Sequence, residues 1–258
     1  MLEKEKKIKN MNLYILFSII FAVICLTFQF PFLYAQRPGK CAKSLTLKMI
    51  AASSYLAVGL LMFRYFSVLN GSVDRFRIFM LAGLIASWLG DLFLHIPGKL
   101  TKKFFAVGMA FFLSAHILYI LAFTFGQKDL LSDDKFLPVW GYIMVIAIII
   151  FAIILLIVKK YKFGLIFVPF LIYGLILNTE LTKALSFGLS AYKNGLTEIV
   201  GMLALIIGGL MFFMSDYSLA YIIAFDKKKE KFGLKIFNIV TYFVAQVLLA
   251  FSIIGIGG

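Results

Sequence analysis

Long apolar runs separated by short polar connectors recur along the whole of this 258-residue chain. Each run reaches about eighteen residues or more, which is long enough to cross a hydrocarbon core of ~30 Å. The runs predict eight membrane spans, at residues 12–34, 44–63, 76–96, 104–125, 136–158, 163–185, 197–225 and 233–255. Backbone groups in lipid must satisfy their own hydrogen bonds, and the chain lacks the alternating pattern of barrel strands. The spans are therefore predicted to be α-helices.

The connectors are too short and too polar to form a separate soluble domain. We therefore predict an all-α polytopic membrane protein, a bundle of about eight transmembrane helices that forms a single transmembrane domain over residues 1–258. The first run superficially resembles a signal peptide. However, it is longer than the roughly 7–15 residues of a signal-peptide core, and no clear small-residue cleavage site follows it. We expect it to be retained as the first span.

Composition agrees with a membrane protein and narrows the expected partners. Hydrophobic residues make up 62% of the chain and charged residues 15%, and a mean hydropathy of +0.99 excludes a soluble globular domain. The basic residues behind the net charge of +14 lie mostly in the connectors, where they face lipid headgroups and set topology. We therefore expect membrane lipid as a partner and no nucleic acid. The expected location is integral and multi-pass, in the cell membrane if the source is bacterial.

The cysteines and histidines suggest no cofactor chemistry. Cys25 and Cys41 make no metal-binding or redox pattern. The chain has only two histidines, so we expect neither a metal site nor a cofactor. By a small margin, the positive-inside rule favours cytoplasmic placement of the connectors that contain Lys40, Lys102, Lys160 and Lys227–Lys229.

Two aspartates interrupt the apolar spans: Asp91 in SWLGDLFLH and Asp216 in FFMSDYSLA. A carboxylate within a span costs roughly 2.5–3.5 kcal/mol on insertion scales, so it is expected to face a protein interior or a watery cavity. Spans three and seven run in the same direction, and at 1.5 Å per residue the depths of the aspartates differ by ~6 Å. Lys48 enters span two from the same side. We predict that the three groups converge in one leaflet, where the aspartates either perform acid–base chemistry or simply pair with Lys48.

Small residues at helical spacing predict close helix contacts beside both aspartates. Gly83 and Ser87 precede Asp91 at intervals of four residues, and Gly201, Gly208 and Ser215 form a similar seam next to Asp216. Such stripes let helices approach closely in a membrane.

Other polar side chains within the spans leave two interpretations open. His116 lies one turn from Tyr119 and is either functional or a satisfied hydrogen-bonding group of the core. His95 follows Asp91 by one turn and either orients that carboxylate or, as we favour, lies among the headgroups, while Glu180 is expected toward the opposite membrane face, away from a shared site. The remaining polar groups either line a cavity or make ordinary interhelical hydrogen bonds; they are Tyr173, Asn178, Tyr242 and Gln246.

Four motifs, in this order along the chain, resemble the lysoplasmalogenase-like membrane proteins of the YhhN family: SWLGDLFL, FFAVGMAFFLSAHILYILAF, GGLMFFMSDYSLA and TYFVAQVLLAFS. Lys48 in LTLKMIA looks like the family's lysine on span two, although Met49 replaces the proline that usually follows it. Span six, FLIYGLILNTEL, fits the family pattern poorly.

The resemblance implies an eight-helix hydrolase that cleaves the vinyl-ether bond of lysoplasmalogens. The products would be a fatty aldehyde and glycerophosphoethanolamine or glycerophosphocholine. The implied catalytic residues are Asp91 and Asp216. The implied contacts to the lysophospholipid substrate are Lys48, His116, Tyr119, Ser215, Tyr242 and Gln246.

A carboxylate pair suits this chemistry. A vinyl ether hydrolyses by protonation at carbon, and the resulting cation needs a nearby anion, as in glycosidase carboxylate pairs. One aspartate would donate the proton while the other stabilises the cation and activates water, with the order left open. The main alternative is a non-enzymatic lipid-binding or proton-coupled transport protein. A hydrolase of ester-linked lysolipids is disfavoured because the chain has no G-x-S-x-G nucleophile motif.

Overall fold

The fold is described by a computed structural model for residues 2–37, 39–98, 101–158, 167–225 and 232–256. These residues form eight α-helices and no strand. In chain order the helices are α1 (Leu2–Ala35), α2 (Ala42–Asn70), α3 (Arg75–His95), α4 (Thr101–Leu131), α5 (Val139–Val158), α6 (Phe167–Lys193), α7 (Ile199–Phe225) and α8 (Phe232–Gly255). Each helix overlaps one predicted span, so the predicted all-α polytopic bundle is confirmed. Lys160 and Lys227–Lys229 lie outside the described residues.

Six of the helices are long and apolar enough to cross a membrane by length and composition: α1 to α4, α7 and α8. α5 is strongly apolar as well, with a described apolar stretch at Val139–Ile154. α6 is less apolar than these six helices because it contains the charged residues Glu180 and Lys183. Both side chains are buried, which shows that α6 turns its charged groups toward other helices rather than toward lipid.

Local sequence signals mark where α2 and α3 begin. Ser44 and Cys41 form a reciprocal cap at the start of α2, in which the Ser44 amide donates to Cys41 Sγ and the Cys41 amide donates to Ser44 Oγ. α2 ends before Gly71, whose φ of 73° is a left-handed conformation that favours glycine. Asp74 then caps α3 by accepting a hydrogen bond from the Arg77 amide.

The helices pack mainly as sequential pairs around α8. α1 packs on α2, α3 on α4 and α7 on α8, while α8 also contacts α1, α2 and α3. Small residues allow these approaches, as the sequence stripes indicated. Gly83 of α3 faces the ring of Tyr119 on α4, and Gly208 of α7 faces Leu249 on α8. This packing brings the polar residues of six helices toward one interior.

Candidate functional site

A cavity of about 360 Å³ lies between the helices at one end of the bundle. Asp91 from α3 and Asp216 from α7 both line it, and their exposed fractions are 1% and 6%. Its apolar wall includes Phe112 and Phe243. Lys48 lines the same space, so the structure brings together the three groups whose convergence the helix directions indicated. Binding cavities for small molecules are typically apolar with a few placed polar groups of this kind.

In the described part of the chain, the polar partners of Asp91 are one ammonium group and two hydroxyl donors. Lys48 Nζ lies 2.9 Å from Asp91 Oδ1. The hydroxyl of Tyr242 donates to Asp91 Oδ2 at 2.6 Å, and that of Tyr55 donates to the same oxygen at 3.0 Å. A carboxylate that only accepts hydrogen bonds carries no proton of its own. The surroundings of Asp91 therefore suit a fixed anion.

Asp216 belongs to a different network, in which a histidine lies between two carboxylates. His116 Nε2 is 2.9 Å from Asp216 Oδ2, and His116 Nδ1 is hydrogen-bonded to Glu180 Oε2. The Tyr173 hydroxyl also donates to Asp216 Oδ2. Both ring nitrogens of His116 thus face carboxylate oxygens, and two protons must occupy these two hydrogen bonds. Either His116 is an imidazolium between two carboxylates, or one carboxyl holds a proton beside a neutral imidazole.

Three of the residues expected to touch substrate lie outside the residues that line the cavity in the described structure: His116, Tyr119 and Gln246. All three are fully buried. Tyr119 donates a hydrogen bond to Gln246 Oε1 at 3.2 Å, so these two polar side chains link α4 to α8. Within the described structure, His116 is linked to the cavity through its hydrogen bonds with Asp216 and Tyr173. All three side chains thus lie behind the residues that line the cavity, and their contact with substrate stays a prediction.

Ser215 and Tyr242 do line the cavity. The Ser215 hydroxyl donates to the Asn238 carbonyl oxygen at 3.0 Å, and Asn238 Nδ2 donates back to the Ser215 carbonyl oxygen at 2.7 Å. These bonds join α7 to α8 next to Asp216. Ser215 thus positions the helix that carries Asp216, while the Tyr242 hydroxyl stands at the cavity surface bonded to Asp91.

Sequence reasoning missed Tyr55 and misplaced Glu180. Tyr55 follows Lys48 by seven residues on α2 and so lies on the same helix face, which is the signal that would have found it. Glu180 was expected near the far end of a span that ends at residue 185. Because α6 continues to Lys193, Glu180 lies mid-helix, at the level of His116. The expectation that it lies toward the other membrane face was wrong.

His95 was expected among the headgroups, and this was also wrong. Its side chain is 4% exposed and its Nε2 lies 2.8 Å from Ser44 Oγ. The hydroxyl of a capping residue therefore fixes the imidazole at the cavity edge. Within the described part of the chain, no group of three or more His, Cys, Asp or Glu side chains is placed to hold a metal ion.

A second, narrow cleft of about 30 Å³ reaches the same centre from between α5, α6 and α7. Tyr173 and Asp216 line both the cleft and the cavity. Its other walls are largely apolar, and beside Gly174 an added Cβ would meet no atom within 4 Å. Asp216 thus faces the larger cavity on one side and a narrow, largely apolar cleft on the other.

The model of the YhhN family matches residues 49–253, which is most of the chain. The chain belongs to the YhhN family. This family includes lysoplasmalogenases, and membership together with six long apolar helices makes the chain a membrane protein. No curated protein matches it, and neither does any solved structure. The match covers both aspartates of this YhhN protein and begins one residue after Lys48.

Proposed function

We propose that this YhhN protein is a membrane-embedded hydrolase that cleaves the vinyl-ether bond of lysoplasmalogens to a fatty aldehyde and glycerophosphoethanolamine or glycerophosphocholine. The observation that carries the proposal is the unequal environment of two carboxylates on one buried cavity. Asp91 meets only donors, whereas Asp216 shares a proton with His116. Pairs of carboxyl groups with different surroundings commonly divide acid and base roles.

Asp216 is assigned the role of proton donor. Its network with His116 and Glu180 holds an exchangeable proton in either arrangement of charges, and Asp216 is the member that lines the cavity. Tyr173 fixes the orientation of the same carboxyl oxygen. After donation, His116 passes a proton to Asp216, and the network regains the proton it has lost when Asp91 releases the one it takes from the attacking water.

Asp91 is assigned the role of the anion. Proton transfer from Asp216 to the outer carbon of the vinyl ether turns the inner carbon and its oxygen into an oxocarbenium ion. Asp91 stabilises this positive charge and accepts a proton from the attacking water. The resulting hemiacetal then collapses with cleavage of its bond to the glycerol oxygen, which leaves the aldehyde and a glycerol hydroxyl.

The two approaches to Asp216 suit the two ends of such a lipid. The hydrocarbon chain would extend along the apolar cleft between α5, α6 and α7, which at about 30 Å³ must widen to admit it, while the glycerol and headgroup would occupy the larger cavity. The vinyl ether joins these two parts of the molecule. It would therefore lie beside Asp216, where the cleft and the cavity share a wall.

The test is release of fatty aldehyde from lysoplasmenylethanolamine by purified protein in detergent, with the ester-linked lysolipid in parallel. We expect aldehyde from the vinyl ether only. Asp216→Asn and Asp91→Asn should each lower the rate by roughly 10² or more, the usual contribution of a positioned acid or base. Asp134→Asn is the control, because this exposed carboxylate pairs with Lys128 at the surface and should leave the rate unchanged.

The His116-bridged carboxylates also favour a second candidate, a lipid-binding or proton-coupled transport protein, since buried relays of this kind move protons in membranes. The same assay separates the two. A transport protein would return lysoplasmenylethanolamine unchanged from folded protein. Full activity in either aspartate variant would instead contradict the assigned mechanism.

A further inference from the structure

The spacing between α5 and α6 changes along their length. An added Cβ at Gly141 of α5 would lie 2.9 Å from Thr182 Cγ2 on α6, so the two helices touch near the start of α5. Further along, Ala152 of α5 and Gly174 of α6 line the narrow cleft that reaches Asp216, and an added Cβ at Gly174 would meet no atom within 4 Å. The gap between the two helices is therefore a wedge that opens toward the end of α5.

One wall of this wedge is held less firmly than the others. Among the described helices, α5 packs on α6 alone, and its outer face carries exposed apolar side chains such as Ile150 and Ile154. The facing walls are joined by polar contacts, since Asn178 Nδ2 on α6 donates to the Tyr217 hydroxyl on α7 at 3.0 Å. Elements with few packed neighbours move at low cost, so α5 can tilt about its contact near Gly141 while α6 and α7 stay together.

The wedge connects the outer surface of the bundle with the candidate site. Ile149 of α5 and Ala220 of α7 line it, and so does Asp216, which also lines the larger cavity. Lipid tails are as apolar as the side chains of such a wall. A hydrocarbon chain can therefore pass from the surrounding lipid into the wedge without crossing water, and its polar end then lies on the cavity side of Asp216.

Small side chains determine how wide this path becomes. Ala152, Gly174 and Ala220 come from three different helices and line the same cleft. The cleft has a volume of about 30 Å³, so a long chain enters only after α5 has shifted. A large side chain at Gly174 would fill the space that this shift provides.

We propose that Gly174 determines which hydrocarbon chains this protein accepts, and that the chain enters beside it from the surrounding lipid as α5 tilts away from α7. The position of the vinyl ether at Asp216 rests on the proposed function, but binding of the chain requires no bond cleavage. A chain that starts at Asp216 and extends outward must pass Gly174. Selection between long and short chains is then made in the wedge, apart from the acid–base groups.

A photoreactive lipid tests where the chain binds. The probe is a saturated 1-hexadecyl lysophosphocholine with a diazirine in the middle of its chain, irradiated with detergent-purified wild-type protein. Excess unlabelled lipid removes specific label and leaves the label on the outer surface. We expect competed label on the residues of α5, α6 and α7 that line the cleft. Competed label confined to the groove that Phe21, Met49 and Leu92 line between α1, α2 and α3, or no competed label, would overturn the proposal.

Variants of α6 test the role of Gly174. By isothermal titration calorimetry, Gly174→Phe should bind 1-hexadecyl lysophosphocholine at least ~10-fold more weakly, the lower range for overpacking a close-fitting apolar site, and the 1-butyl lipid as the wild type does. Gly174→Ala should bind both lipids normally, because its Cβ has space. Leu175→Phe is the matched control, since it places the same ring at an exposed residue outside the described lining of the cleft.

A folded Gly174→Phe protein that binds the hexadecyl lipid as well as Leu175→Phe does would overturn the assignment. Melting temperature in detergent shows whether Gly174→Phe is folded. If it is not, Ala220→Phe fills the same wedge from α7 and should cause the same selective loss of the hexadecyl lipid. Normal binding of that lipid to a folded Ala220→Phe protein would contradict the proposal equally.

Aldehyde release separates the chain site from the proposed reaction. In Gly174→Phe, kcat/KM should fall at least ~10-fold for a hexadecenyl lysoplasmalogen and stay unchanged for a butenyl one. An equal fall for both substrates would show that the substitution disturbs Asp216 and would overturn selection at Gly174. Wild-type protein that binds and labels as expected but releases no aldehyde would contradict the proposed hydrolysis and leave the chain site standing.

Discussion

At the scale of single residues, the ion pair between Lys48 and Asp91 combines a stability cost with a functional role. The two side chains are 9% and 1% exposed, so water contributes little to either charge. Removal of one partner of a buried pair typically costs roughly 3–5 kcal/mol, because the other charge is left without compensation. The hydroxyl groups of Tyr55 and Tyr242 reduce this cost for Asp91 but do not carry a balancing charge.

We therefore predict that Lys48→Met destabilises the protein strongly, and that adding Asp91→Asn recovers much of the loss. An asparagine in the double variant can still accept the two tyrosine hydrogen bonds but has no charge to compensate. Thermal unfolding in detergent would measure both changes, and both variants should be inactive in the aldehyde assay. If the double variant unfolded at the same temperature as Lys48→Met, the pair would not be the reason for the loss.

The sequence alone identified those site residues whose charge makes insertion into lipid costly. Asp91 and Asp216 were selected because a carboxylate in a span needs an interior position, and both have one. Glu180 escaped selection because its apparent depth depended on where α6 ends. Its partner, His116, is on α4, and no spacing within one helix reveals a partner on another.

At the scale of helices, the pair α3–α4 sets the distance between the two networks, since α3 carries Asp91 and α4 carries His116. Gly108 permits this packing. An added Cβ at Gly108 would lie 2.7 Å from the backbone nitrogen of Leu94. Backbone cannot move aside as the end of a flexible side chain can, so the helices would have to separate.

Gly108→Ala should therefore destabilise the protein by roughly 1–3 kcal/mol, the usual range for overpacking, and should lower activity by displacing the helix that carries His116. Gly233→Ala is the matched control, because an added Cβ at that helical glycine meets no atom within 4 Å. Melting temperature and aldehyde release would be measured on both. A Gly108→Ala protein as stable and active as the Gly233→Ala protein would contradict the close packing of α3 on α4.

α6 shows what a hydropathy pattern can miss at this scale. The helix runs from Phe167 to Lys193 and contributes Tyr173 and Glu180 to the networks around Asp216. This segment fits the family pattern poorly, so the family resemblance assigned no role to its polar residues. Its buried Lys183 donates hydrogen bonds to Gln127 and to the Phe136 carbonyl oxygen, so its charges are matched by neighbouring elements rather than by lipid.

At the scale of the whole molecule, charge is distributed so that Asp91 and Asp216 lie within the bundle, while Arg37 and Lys40 of the α1–α2 connector line the edge of the same cavity. Partial desolvation, and then the charges of Lys48 and Lys235, lower the pKa of Lys40. Lys40 therefore loses its proton at a lower pH than a free lysine.

The sequence by itself determined the class of structure, the number and approximate position of the helices, and the two carboxylates that lipid would not tolerate. These follow from hydropathy, helical periodicity and the cost of a buried charge, which are properties of one segment at a time. Only the tertiary structure decided that Lys48 belongs to Asp91, that Glu180 holds His116 against Asp216, and that Tyr119 and Gln246 lie behind the cavity wall. Those outcomes depend on how each helix is rotated and which helices are neighbours, and the lipid-facing pattern of a single span constrains neither.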